Sequence, residues 1–339
     1  MEVNRKKILV TGGAGFIGSH LSEALLKLGA KVIVLDNFDD FYPGKESNVA
    51  GLLRNERFSL VRGSILDVDL LQGLIKEADA VVHLAAQAGI RYCNEKPLKA
   101  HEVNATGTLN VVVACRRLGV NKVVYASSSS VFGDPVRTPM DELHPTEPNN
   151  PYGASKLAGE KYCTSFAKAF GMDITCLRYF SVYGPRGRPD QVLYSFAKKA
   201  AVGEAPIIYG DGSYSRDFTY VSDVVSATIL ALYTDSVTGR VLNIGFGKDY
   251  RMIDVARKII AHYGGRFEPQ FVKKYQGDFS KTLCDNELAR RTLGWRPEVS
   301  FEDGLSRFLD WFDANHVANL AEDKTRPPGR QRILTGLNF

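Results

Sequence analysis

The chain has 339 residues, 44% hydrophobic and 24% charged, a balance that excludes a disordered, collagen-like or disulfide-dense protein and leaves room for two domains or one large α/β unit. Its 43 Lys and Arg exceed 38 Asp and Glu by +5, a surplus scattered along the chain that suits an anionic small molecule and argues against nucleic acid as a partner. Five widely spaced cysteines without a CxxC suggest neither disulfides nor zinc; with no apolar run near the roughly 20 residues of a membrane span and no room for a signal peptide in MEVNRKK, a soluble, cytoplasmic, metal-free protein is expected.

In chain order, apolar runs at residues 8–10, 32–35, 58–61, 80–84, 123–126 and 174–177 are too short for helices and too continuously apolar for half-exposed strands. They predict a buried parallel sheet. Helical spacing fills the gaps at 17–28, 67–75, 104–118 and 152–170, and this alternation with right-handed crossovers predicts an α/β fold, a Rossmann-type doubly wound parallel sheet. After about residue 180 the chain turns to Gly- and Pro-punctuated loops. A helix at 222–233 and a strand at 241–245 are expected to return to the sheet, while helices at 251–263 and 301–312 belong to a smaller mixed α/β substrate-binding lobe. The expected division is 1–180 with about 215–245 as the sheet domain, 181–214 and 246–320 as the lobe, and 321–339 as a polar tail.

The first chemical signal is TGGAGFIGSHL, between the first strand and the first helix. Gly12, Gly15 and Gly18 permit a tight turn and close approach of backbone to a pyrophosphate, whose charge rests on the N–H groups of the helix start at Phe16 and Ile17. Asp36, with Asn37 beside it, ends the second strand about twenty residues on. Its carboxylate accepts hydrogen bonds from ribose hydroxyls and repels a 2′-phosphate, so NAD is the expected cofactor in preference to NADP.

The second signal is YGASK. Tyr152 and Lys156 lie four apart and share a helix face, behind serines 127–130 at the end of another strand. Poising a phenol near neutrality takes about 4 kcal/mol of preferential phenolate stabilisation, which the Lys156 ammonium and a positive nicotinamide ring supply. Ser128 then holds a substrate hydroxyl, Tyr152 takes its proton, and hydride leaves the carbon for NAD.

With HLAAQAG, NATGT, SSSSVFG, PYGASK, LRYFSVYGPRGRPD and SRDFTYVSD, residues 6–314 resemble the extended short-chain dehydrogenase/reductases that act on nucleotide sugars, and within them the UDP-glucuronate 4-epimerase branch. The resemblance implies a tightly held NAD that is reduced and reoxidised within one turnover. It also implies that Leu84, Ala85 and Ala86 line the cofactor, that Ile65 packs near adenine, and that Tyr179 and Phe180 approach the nicotinamide. By the same resemblance Asp278 meets the uridine ribose, and helices 104–118 and 152–170 form a homodimer interface; Val111, Val112, Phe166 and Phe170 suit that interface or packing on the sheet.

Which reaction follows C4 oxidation depends on what stands around the keto sugar. Relatives that eliminate water or decarboxylate usually carry a Glu just after the catalytic Ser or Thr. Here Ser129 and Ser130 take those positions, without useful basicity near neutral pH. If the sugar turns about its diphosphate linkage before hydride returns, C4 inverts, which makes a 4-epimerase of a UDP-sugar substrate, UDP-glucuronate to UDP-galacturonate. Ser129, Ser130 and Ser181 are expected to hold the C5 carboxylate, with Arg186 or Arg188 nearby, and Arg91 lies at the sugar end. Arg216 suits bidentate phosphate contact, a salt bridge to Asp217 or Asp223 being its alternative. His83 is expected to be a core hydrogen-bonder. Ser64, Phe132 and Ser181 depart from the family's usual Asp, Tyr and Thr or Asn. A 4-epimerase of UDP-glucose or UDP-N-acetylglucosamine is the rival within enzymes, and a non-catalytic NAD-binding sensor or scaffold is the rival outside them.

Overall fold

The structure, a computed structural model, describes residues 6–318 and 320. Strands β1 (Lys7–Thr11), β2 (Lys31–Asp36), β3 (Phe58–Arg62), β4 (Ala80–His83), β5 (Lys122–Ser128), β6 (Ile174–Tyr179) and β7 (Val241–Ile244) pair in parallel in the order β7-β6-β5-β4-β1-β2-β3. The apolar runs serve two cores at once because successive side chains alternate between faces. Ile8, Val10, Val32 and Val34 enter one core, Leu9, Ile33 and Leu35 the other. Helices α1 (Phe16–Lys27) and α4 (Val221–Tyr233) cover the first face, α2 (Gly107–Leu118) and α3 (Pro151–Phe170) the second. The strand order reverses between β1 and β4, and the crevice outside the strands' carboxyl ends at such a switch point is where open α/β sheets bind ligands.

Three features position that crevice beyond what periodicity foretells. The helix expected from residue 104 begins earlier, at Pro97–His101, and passes through a π-helical turn at Glu102–Thr106. The wide turn brings buried Asn104 inward, where its Oδ1 accepts the Gln87 N–H at 2.7 Å and its Nδ2 donates to Gln87 O and Ser155 Oγ, both at 2.9 Å. Helix α3 starts cleanly because Asn150 accepts the Gly153 N–H at 2.8 Å and Pro151 occupies its first turn. The strand Ser215–Tyr220 lies in a smaller sheet between Ser181–Tyr183 and Asp249–Arg251, so the chain rejoins the main domain only from Val221.

The smaller lobe adds a parallel pair, Ile207–Tyr209 with Gln270–Val272, and helices at Val192–Ala201, Met252–His262 and Phe301–Phe312. Packed rings of Tyr183, Phe218, Tyr220, Tyr250 and Phe301 tie its sheet to the last of these helices. Val111 and Val112 are fully buried in the second core, so they pack on the sheet and offer nothing to an interface. Among the described residues no helix is long and apolar enough to cross a membrane. The tail 321–339 lies outside the described residues.

Candidate active site

On the β1 side the glycine turn is built by close approach. Gly12 has φ +70°, and a Cβ there would lie 2.7 Å from the Ala85 nitrogen, so the turns after β1 and β4 touch. A Cβ on Gly18 would overlap the Gly12 carbonyl, which lets α1 start against the turn. The Asp36 carboxylate ties this turn to the chain leaving β2: Oδ2 accepts the Ala14 N–H at 3.1 Å and Oδ1 the Phe38 N–H at 2.9 Å. Asn37 Oδ1 accepts the Asp39 N–H at 3.1 Å. Buried Ile65 packs its Cδ1 against Gly107, and Ser64 Oγ accepts the Leu66 N–H at 3.1 Å. The cradle that side chains would fill, the helix start with its N–H groups and the carboxylate at the β2 end fit a dinucleotide, and the Phe16 N–H is covered by the Tyr42 hydroxyl at 3.1 Å.

Leu84, Ala85 and Ala86 follow β4, and Ala85 is fixed from below by a hydrogen-bond chain whose direction is determined. Thr108 Oγ1 donates to Asn104 O at 2.7 Å, so it accepts from His83 Nε2 at 2.9 Å; His83 Nδ1 then accepts from Thr11 Oγ1 at 2.7 Å, and Thr11 accepts the Ala85 N–H at 3.3 Å. Burial, with the Lys156 charge nearby, pushes His83 down to about 3. It is a neutral core residue.

Ser128 and Tyr152 meet at the carboxyl end of β5, and Lys156 follows Tyr152 one turn later on α3. Ser128 Oγ accepts the Ser130 N–H at 3.1 Å, which leaves its proton free to donate. Burial raises the Tyr152 phenol, while the Arg188 charge and a hydrogen bond from Ser128 pull it back. Lys156 is buried with Nζ 4.3 Å over the Tyr125 ring, and desolvation lowers it to about 8. The charge acting most on the phenol is therefore that of Arg188, which sequence spacing did not suggest. Behind the triad, the buried Glu160 carboxylate accepts from Ser127 Oγ at 2.6 Å and from Arg178 at 2.7 and 3.0 Å.

The arginines separate. Arg188 pairs with Asp190 at 2.8 and 3.1 Å, beside Tyr42 and Tyr152, with Asp190 against Gly89. Arg186, two residues earlier, has φ +63° and turns to α1, binding Glu23 at 3.1 Å and Ser19 at 3.4 Å. The strained turn sends the two side chains to different partners, so Arg186 does not join Arg188 at the Ser128 end of the cleft. Arg216 binds Asp278 and the Phe279 carbonyl, each at 2.7 Å, instead of Asp217 or Asp223. Arg91 stacks 3.9 Å over Tyr209 and 5.1 Å over Tyr275. Ser129 and Ser130 form a single 3-10 turn after Ser128, and Ser181 opens the strand that pairs with Phe218. Tyr179 is buried and donates its hydroxyl to Thr228 at 2.7 Å, because Thr228 itself donates to Val224 O. Its phenol is thus committed to α4, and Phe180 is buried with Phe132 and Cys284.

Residues given no site role from sequence complete the frame. Asp217 is fully buried and accepts the N–H groups of Phe246, Gly247 and Cys284 at 2.9, 2.9 and 3.0 Å; burial pushes it up to about 7 against those bonds. Asp190, Tyr42 and the Glu160–Arg178 pair were also unforeseen. In sequence Asp217 stood out only as a salt-bridge alternative for Arg216, and Asp190 only by its place two residues after Arg188 in GRPD.

Residues 8–245 match the NAD dependent epimerase/dehydratase family. A protein from Methanocaldococcus jannaschii named a putative UDP-glucose 4-epimerase is 36% identical over 91% of this chain and 99% of its own length. The UDP-glucuronate 4-epimerase of Thermodesulfobacterium geofontis is 35% identical over 91% and 96%. Among solved structures, the UDP-glucuronic acid 4-epimerase of Bacillus cereus in complex with UDP-glucuronic acid and NAD is 36% identical and superposes with a TM-score of 0.87 over 91% of this chain and 99% of that one.

Proposed function

The chain belongs to the NAD dependent epimerase/dehydratase family and is an isomerase that uses NAD, and from that premise we propose that it interconverts UDP-glucuronate and UDP-galacturonate by inversion at C4. The observation that carries the choice of sugar is Arg188: a cation beside the Tyr152 phenol whose ion-pair partner, among the described residues, is the neighbouring Asp190 carboxylate. A sugar carboxylate supplies the same bidentate partner. Similarity to the T. geofontis and B. cereus enzymes supports the same reading.

The hydride acceptor and donor is supplied by NAD when bound. Ser128 holds the sugar's C4 hydroxyl with the proton that it otherwise directs at the Tyr152 phenol. Tyr152 takes the hydroxyl proton and returns it on reduction, and Lys156 stabilises the phenolate. Ser129, Ser130, Ser181 and Arg188 hold the C5 carboxylate, while Arg216 grips the diphosphate and Asp278 the uridine ribose. Ser129 and Ser130 supply no base to abstract a further proton, which leaves return of the hydride as the second half of the reaction.

The protein is further proposed to act as a cytoplasmic homodimer through α2 and α3, where Leu118, Tyr162 and Phe170 stay exposed; sedimentation at micromolar concentration checks this. The decisive test of function is a panel of UDP-sugars incubated without added NAD, followed by separation of C4 epimers. UDP-glucuronate and UDP-galacturonate should interconvert. Conversion of UDP-galactose at least as efficient as that of UDP-galacturonate overturns the uronate assignment and favours the UDP-glucose reading.

A further inference from the structure

We propose that Tyr42 is a further cofactor-binding residue: its hydroxyl accepts the Phe16 N–H at the start of α1 and donates its own proton to a phosphate oxygen of the bound dinucleotide. The segment from Asn37 to Gly44 forms a strap across the mouth of the glycine turn. It is tied down at Asp36, which accepts the Phe38 N–H at 2.9 Å, and at Lys45, whose Nζ donates to Asp39 O at 2.9 Å. The same ammonium lies 5.1 Å from the centre of the Tyr42 ring. Phe41 packs edge-on against Tyr42 and, at 4.7 Å, against Tyr92. Held on these sides, the Tyr42 oxygen stands 3.1 Å from the Phe16 nitrogen, and a Cβ on Gly15 would come within 3.3 Å of it.

The direction of this hydrogen bond is forced. A backbone N–H only donates, so the phenol oxygen accepts and the phenol proton must point elsewhere. Among the described residues no acceptor takes it. Burial pushes the Tyr42 phenol up to about 12, so the proton is present at any physiological pH. The N–H it covers belongs to the helix end that favours a diphosphate's charge. A hydroxyl bonded there extends that N–H outward by one donor, adding hydrogen-bonding reach without adding charge.

Tyr42→Phe keeps the ring with its Lys45 and Phe41 neighbours and removes the hydroxyl, which is both the proposed donor to phosphate and the acceptor of the Phe16 N–H. The measurements are the rate at which purified holoenzyme releases NAD into a trap, and the affinity for UDP, which lies on the sugar side of the cleft. NAD release should accelerate about tenfold or more, the size of one lost hydrogen bond to a charged group, while UDP affinity stays unchanged. Release at the original rate, or slower, means that the hydroxyl only fills the place that phosphate takes, and overturns the proposal. A parallel loss of UDP affinity means a general distortion of the cleft, and overturns it as well.

Discussion

On the cofactor side of the cleft, polar side chains close mainly on backbone and on one another in neutral pairs. Asp36 takes the N–H groups of Ala14 and Phe38, Asn104 pairs with both polar groups of Gln87, and His83 links Thr11 to Thr108. On the sugar side, charges close on charges: Arg188 on Asp190 and Arg216 on Asp278. Under the proposed function, the difference teaches how one protein can hold its cofactor and still exchange its substrate. The first set is complete before any ligand arrives. On the same reading, the second keeps each cation on an internal carboxylate until an anionic ligand takes its place.

That contrast can be broken or sharpened by substitution. The largest effect is expected from Tyr152→Phe, which should lower kcat by about 10²–10⁴-fold, the usual worth of a positioned acid–base group, with NAD content unchanged; loss of NAD alongside activity would blur the boundary between the two sides. Next comes Glu160→Gln, which leaves the buried Arg178 guanidinium without its counter-charge. Urea unfolding should report about 3–5 kcal/mol of lost stability, as for other buried pairs stripped of one partner.

A smaller effect lies in pH. In the unfolded chain His83 titrates near its ordinary 6.5, in the fold only near 3. Above pH 6.5 both states are neutral. Below it the unfolded chain gains a proton that the fold refuses, so stability drains away as pH falls toward 3. Between pH 6.5 and 5 the loss should be about 2 kcal/mol, seen in calorimetric melting, and His83→Gln should flatten that slope. The smallest effects belong to the sugar side. Arg216→Ala should raise KM about tenfold for every UDP-sugar, and Arg188→Ala by a similar factor for uronates alone, neither with a change in melting temperature. A uniform rise in KM in Arg188→Ala would remove its claim to the carboxylate, whereas a fall in kcat shared by every UDP-sugar reports only the Arg188 charge on the Tyr152 phenol.

The main sheet was legible because its signals are local: each strand is a continuous apolar run, and alternate residues within it feed opposite cores, as Leu9 and Val10 do. The glycine turn and the Tyr152/Lys156 spacing were legible for the same reason, since turn and helix face follow from neighbours in sequence. The rest depends on distant partners. Nothing near Arg186 foretells Glu23, or near Arg216 foretells Asp278, because those pairs span 163 and 62 positions. Three-residue strands such as Ser181–Tyr183 carry no period to read. The wide turn at Glu102–Thr106 looks like ordinary helix until Gln87 and Ser155 are seen against Asn104.

The two amide contacts of Asp36 bear on any effort to redesign this protein for the phosphorylated dinucleotide. Removing the carboxylate lifts the electrostatic bar to a 2′-phosphate, yet it also deprives the Ala14 and Phe38 N–H groups of their acceptor in one stroke. Selectivity and folding are thus written into the same four atoms of side chain. A workable exchange has to install a neutral oxygen at that position first, as Asn or Ser would, and only then recruit a cation from the neighbourhood of Arg62.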